Sequence, residues 1–178
     1  MKPIALLALL LAPSTAAVAA EPAQPDAGQQ ARPIKALAAD HVAGLLAGAG
    51  LGYAKAAERN RYPGPLHVLE LATELGLSDA QLEATRALRA RVVERASALG
   101  AELVAAEADL DALFRSGTAS QASVAAVLEA IGGIQARLRG VHLDAHLEQR
   151  AVLTPQQVDR YVQLRGHGDG HAPGGHHH

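Results

Sequence analysis

The chain has 178 residues, a formal charge of −2, 49% apolar residues and no cysteine. One Phe, three Tyr and no Trp leave Leu, Ala and Val to build any core, so the composition predicts one thin-cored helical domain. The charge excludes the basic excess that nucleic-acid binding needs, and disulfides cannot hold the fold.

The first twenty residues read as a secretory leader. Lys2 is the positive start, Ile4 to Ala12 an unbroken apolar stretch and Pro13-Ser14-Thr15 its end, and Val18-x-Ala20 offers a cleavage site before Glu21. Removing residues 1–20 removes Lys2 and takes the formal charge from −2 to −3. Later in the chain, the nearest candidate for a membrane span, Val42 to Ala54, is too short and carries Gly44, Gly48, Gly50 and Gly52. The mature part is expected to be soluble and exported.

Residues 21–33, rich in Pro, Ala, Gln and Gly, read as a flexible linker. Residues 34–64 hold one short helical pattern (Leu37, Val42, Leu45, Leu46), the string Gly48-Ala49-Gly50-Leu51-Gly52, and a stop at Tyr62-Pro63-Gly64-Pro65. No strand precedes the glycine string, so it predicts a helix break or a close backbone contact rather than a phosphate loop.

Residues 65–166 are helical almost throughout. A short helix over Leu66–Leu75 ends at Gly76, and a long one runs Asp79–Arg115 to the stop Ser116-Gly117. Its apolar positions Val92, Ala96, Leu99, Leu103, Ala106, Leu110 and Leu113 alternate spacings of four and three. A third helix, from about Ala119 to Val152, repeats the alternation at Val124, Val127, Ile131, Ile134, Leu138, Val141, Ala145 and Val152. Two long seamed helices joined by a few residues are expected to fold back as an antiparallel hairpin. A fourth helix runs from Pro155 to about Arg165, and the His-rich residues 167–178 read as a disordered tail.

The second and fourth helices open alike. Leu77-Ser78-Asp79-Ala80-Gln81 aligns with Leu153-Thr154-Pro155-Gln156-Gln157. Ser78 and Thr154 are predicted N-caps, Gln81 and Gln157 complete capping boxes, and Leu77–Leu82 and Leu153–Val158 form staples. Replacing Thr154 by Ala is expected to cost about 1 kcal/mol, and Gln157→Ala less.

This repeated Leu-Thr-x-x-Gln, around a long helical hairpin and behind a leader, resembles the LTxxQ-motif periplasmic family. That family comprises Spy/CpxP-type chaperones and related periplasmic heavy-metal sensors. The second copy is a full match and the first has Ser for Thr. The resemblance implies an all-α, four-helix hooked hairpin that forms a homodimer. It further implies either an ATP-independent chaperone-like, stress-protective protein or a metal sensor or resistance accessory working with a membrane-bound regulator. Clients would be unfolded or misfolded envelope proteins, met by an apolar concave face of Leu82, Leu88, Val92, Val93 and Leu138.

His142 and His146, four apart on the third helix, share a face at the seam's edge, where partial solvation is expected. Fold-back at both turns brings His146 level with Arg89 and His67 level with Leu88, so the three histidines are expected in one layer. Such a layer is a candidate site for Zn, Ni or Cu, with Glu70, Glu74 and Glu94 as further ligands, although Arg89 and Arg91 would repel a cation. The family's metal sensors use the same stretches, but this chain has no second first-helix histidine and no Met beyond the leader. In the tail, His167, His171, His176, His177 and His178 would bind divalent metal weakly. No pattern for nucleophilic or acid–base catalysis is present and no cofactor is required, so the chain is expected not to be an enzyme.

Overall fold

The computed structural model describes residues 28–166. Residues 1–20, expected to be a leader, residues 21–27 of the expected linker and the His-rich residues 167–178 lie outside the described residues. Among the described residues there is no strand. Six α-helices follow a single turn of 3₁₀-helix at Gln29–Ala31: α1 (Ala39–Leu46), α2 (Lys55–Glu58), α3 (Pro65–Glu70), α4 (Asp79–Arg115), α5 (Gln121–Val152) and α6 (Pro155–Leu164). None is long and apolar enough to cross a membrane.

α4 has the bounds its local signals dictate. Ser78 caps its start, Ser116 ends it, and Gly117 takes the left-handed φ of 70° that turns the chain away. α5 begins two residues later than the periodicity suggests, because Ser120 is itself an N-cap. The Ser120 hydroxyl accepts from the Ser123 amide at 3.1 Å, while Ser123 Oγ accepts from the Ser120 amide at 3.0 Å. The expected helix over Leu66–Leu75 stops at Glu70 and continues as hydrogen-bonded turns that swing Leu75 into the interior.

At 37 and 32 residues, α4 and α5 extend about 55 and 48 Å. Arg91 pairs with Glu148, and farther along α4 Glu102 pairs with Arg137, earlier in α5. The order is reversed between the helices, so they run in opposite directions. These pairs are exposed and contribute little. The seam carries the energy: Leu88, Val92, Ala96 and Leu103 of α4 interlock with Ile131, Ile134, Leu138, Val141 and Ala145 of α5 in one buried cluster.

α1 closes this cluster through Leu45, which is 1% exposed. Two glycines permit its approach. A Cβ on Gly100 of α4 would come within 2.1 Å of the Leu45 carbonyl oxygen, and one on Gly48 within 2.7 Å of the Val93 carbonyl oxygen. Gly48, in the glycine string, thus ends α1 at a left-handed φ of 65° and lets two backbones touch. A second, smaller core joins α3, the following turns and α6 through Val68, Leu75, Leu153, Val158, Tyr161 and Val162, with Leu77 packed against it.

Candidate functional site

The two Leu-Ser/Thr-x-x-Gln segments meet where α4 begins, α5 ends and α6 begins. Each builds its own box. Ser78 Oγ accepts from the Gln81 amide at 3.2 Å and Gln81 Oε1 from the Ser78 amide at 3.1 Å; the Thr154–Gln157 distances are 3.2 and 2.9 Å. Each box is also locked to the other. Gln81 Nε2 donates to Gln157 Oε1 at 2.8 Å and Gln157 Nε2 donates back to Gln81 Oε1 at 3.0 Å. The second N–H of Gln81 reaches the Val152 carbonyl at 2.9 Å, while Gln157 reaches those of Leu75 at 3.3 Å and Gly76 at 3.4 Å.

Both amides thereby serve three chain segments at once, with donors and acceptors all used. Thr85 and Gln149, fully buried one turn inward, extend the polar junction: Thr85 Oγ1 donates to the Gln81 carbonyl at 2.7 Å and accepts from Gln149 Nε2 at 3.1 Å. Leu153 and Val158, with Leu77 half-buried beside them, anchor it in the smaller core. Periodicity alone gave no sign of the pairing between boxes.

His142 and His146 both lie on α5, but neither is partly solvated; each is 6% exposed. Residues 50–65, expected only as a break and a stop, pack over them. The His142 ring stacks on Tyr53 with centroids 5.9 Å apart and planes 2° from parallel. Its Nε2 has no hydrogen-bond partner. Burial, then the neighbouring charges of His146 and Arg89, hold the His142 pKa below the ordinary histidine value. His146 Nδ1 lies 2.8 Å from the Tyr62 carbonyl, which only accepts, so that nitrogen carries the proton. Its Nε2 faces the Glu58 carboxylate at 4.0 Å. Gly64 lies against the same ring, where a Cβ would stand 2.8 Å away. One turn farther, Arg150 donates to the Arg61 carbonyl at 2.7 Å and lies over the Tyr62 ring, 4.7 Å from its centroid. Arg61 in turn pairs with Asp159 of α6.

His67, His142 and His146 do line one cleft of about 100 Å³, with Glu58 and Arg89 in its walls. It is not a preformed metal centre. Among the described residues no group of three or more His, Cys, Asp or Glu stands where it could hold a metal ion. His67 Nδ1 bonds Glu70 at 2.9 Å within its own helix, His146 Nδ1 bonds the Tyr62 carbonyl, and Glu74 and Glu94 are exposed outside the cleft. His167, His171, His176, His177 and His178 lie outside the described residues.

The expected apolar client face needs correction. Leu88, Val92 and Leu138 are buried in the α4–α5 core, and Leu82 and Val93 are half-buried. Residues that continue a seam at spacings of four and three face the partner helix, not solvent. The exposed large apolar side chains lie elsewhere. Phe114 (63% exposed) and Leu128 (51%) sit near the far ends of α4 and α5, beside a shallow groove lined by Ala112, Leu113, Ala126 and Val127, and Leu147 is exposed on α5.

No family model, curated protein or solved structure matches the chain.

Proposed function

We propose that the chain is a periplasmic, ATP-independent binding protein of the LTxxQ type, a hooked antiparallel hairpin that pairs as a homodimer and protects unfolding envelope proteins from aggregation. The observation that carries this reading is the reciprocal Gln81–Gln157 pair. It gives the repeated motif a shared structural purpose, since each copy completes the hydrogen bonds of the other at one corner of the fold. Two long helices meeting through a narrow seam leave a large surface for their volume, and Phe114, Leu128 and Leu147 supply exposed apolar contacts for chains that have lost their own cores.

A metal-sensing role is the second reading, and the gathering of three histidines around one cleft favours it. Arg89 in the same cleft, and the lack among the described residues of three ligand side chains placed to hold one ion, weigh against it. Light scattering from a reductant-unfolded test protein, with and without the purified chain and with no nucleotide, tests the leading reading. Suppressed scattering supports it; unchanged scattering at equimolar chain overturns it.

A further inference from the structure

The histidine cleft keeps polar groups that the fold itself leaves unused. Arg89 and His142 form one set. The Arg89 guanidinium lines the cleft and its charge acts on the His142 ring, yet it makes no hydrogen bond or ion pair with another described residue. His142 is 6% exposed, and its Nε2 is buried without a partner. Burial favours the neutral ring, in which Nε2 can carry the proton and serve as a donor.

Glu58 and His146 form the other set. His146 Nδ1 holds its proton toward the Tyr62 carbonyl, so Nε2 presents a lone pair, and the Glu58 carboxylate lies 4.0 Å from it. Two acceptors thus face each other across a gap too long for a direct hydrogen bond. An ammonium nitrogen about 2.8 Å from each would bridge them at an angle of about 90°, open to a tetrahedral donor. The Glu58 charge acts on Tyr161 and the Arg89 charge on His142, which sets the two pairs apart. Pro65, Val92 and Ala145 supply apolar wall between them, and the exposed Gly50 and Leu66 lie at the mouth. The volume of about 100 Å³ equals the liquid share of about three waters, so it admits a very small ligand.

We infer that this cleft binds a small zwitterion, a carboxylate and an ammonium joined through one carbon as in the simplest α-amino acid, the carboxylate on Arg89 and His142 and the ammonium on Glu58 and His146. A simple cation is opposed by Arg89 and a simple anion by Glu58. A ligand carrying both charges turns each opposition into an attraction and supplies both missing sets of hydrogen bonds. The site goes beyond the chaperone reading and does not depend on it.

The test is titration of the full chain with glycine, read by calorimetry and by the proton–nitrogen signals of the imidazoles. Ligands this small bind weakly, so the titration runs to about 20 mM. A single saturable site should appear, with the ring signals of His142 and His146 shifting together. At equal ionic strength, acetate and methylammonium, each carrying one end of the probe, should bind at least about tenfold more weakly, and trimethylglycine, too wide for the cleft, should not bind. Arg89→Gln and Glu58→Gln should each weaken glycine binding by about tenfold or more. Both variants should keep the helical circular dichroism, because neither side chain makes a hydrogen bond within the fold. Should either variant unfold, the ligand series on the unmodified chain decides. Imidazole signals that do not move, acetate binding as tightly as glycine, or a folded variant that binds glycine as well as its parent overturns the inference.

Discussion

Gln157→Ala should destabilise the fold more than Thr154→Ala, the reverse of what an isolated capping box predicts. Removing the Thr154 hydroxyl deletes one cap bond, to the Gln157 amide at 3.2 Å, worth about 1 kcal/mol. Removing the Gln157 amide deletes its bond to the Thr154 N–H at 2.9 Å, both bonds of the Gln81 pair at 2.8 and 3.0 Å, and its longer contacts to the carbonyls of Leu75 and Gly76. At about 0.5 to 1.5 kcal/mol for each bond made, and with part of the junction recovering water, the loss comes to about 2 to 3 kcal/mol. The pairing itself is read by a double-mutant cycle. Gln81→Ala and Gln157→Ala together should cost less than the sum of the two alone by about 1 kcal/mol or more, because the first change already orphans the second amide. Urea unfolding followed by circular dichroism gives all four free energies. A Gln157→Ala cost at or below that of Thr154→Ala, or additive single changes, refutes the paired junction.

Other outcomes follow from single contacts. Gly100→Ala forces a methyl to within 2.1 Å of the Leu45 carbonyl oxygen, so α1 must leave α4; a loss of about 2 kcal/mol or more should appear in thermal unfolding, and unchanged stability contradicts that close approach. His142 has a folded-state pKa below its unfolded one because of burial. The unfolded chain then binds more protons, so this contribution to stability is complete above about pH 6.5 and is lost as the pH falls below it. His142→Phe keeps a ring against Tyr53 and should flatten urea stability between about pH 5 and 7; an unaltered slope places the acid sensitivity elsewhere. Removing residues 167–178 should eliminate weak zinc, nickel and copper binding in calorimetric titration, whereas a tight site surviving in the truncated chain would reinstate a histidine centre in the cleft.

The parts of the fold legible in the sequence are those decided by local chemistry. The bounds of α4 follow from Ser78, Gln81 and Ser116-Gly117, and the alternating spacing picks out Val92, Ala96 and Leu103 of α4 and Ile131, Ile134, Leu138, Val141 and Ala145 of α5 in the buried cluster, while the seam positions toward the α4–α5 turn are only half-buried. The start of α5 was displaced because Ser120 and Ser123 form a box without Glu or Gln. What stayed hidden depends on elements distant in sequence. Gln81 and Gln157 are 76 positions apart, and nothing in either box announces the other. The histidines were placed at a seam edge correctly in level, since His67 and His146 do reach one cleft with Arg89. Their burial is not legible locally, because residues 50–65 cross over α5 at this point and cover both rings. A client face of Leu88, Val92 and Leu138 conflicts with their own spacing, which commits them to the partner helix.

The activity proposed for the chain is to hold unfolding polypeptide without an energy source. The most direct measurement is aggregation of a reduced test protein followed by light scattering, with increasing purified chain and neither nucleotide nor metal present. The account predicts that scattering falls in proportion to added chain, approaches completion near equimolar ratio, and is unaffected by ATP. Scattering that persists at several-fold molar excess of a chain shown to be helical by circular dichroism, or suppression that appears only when ATP is added, contradicts it.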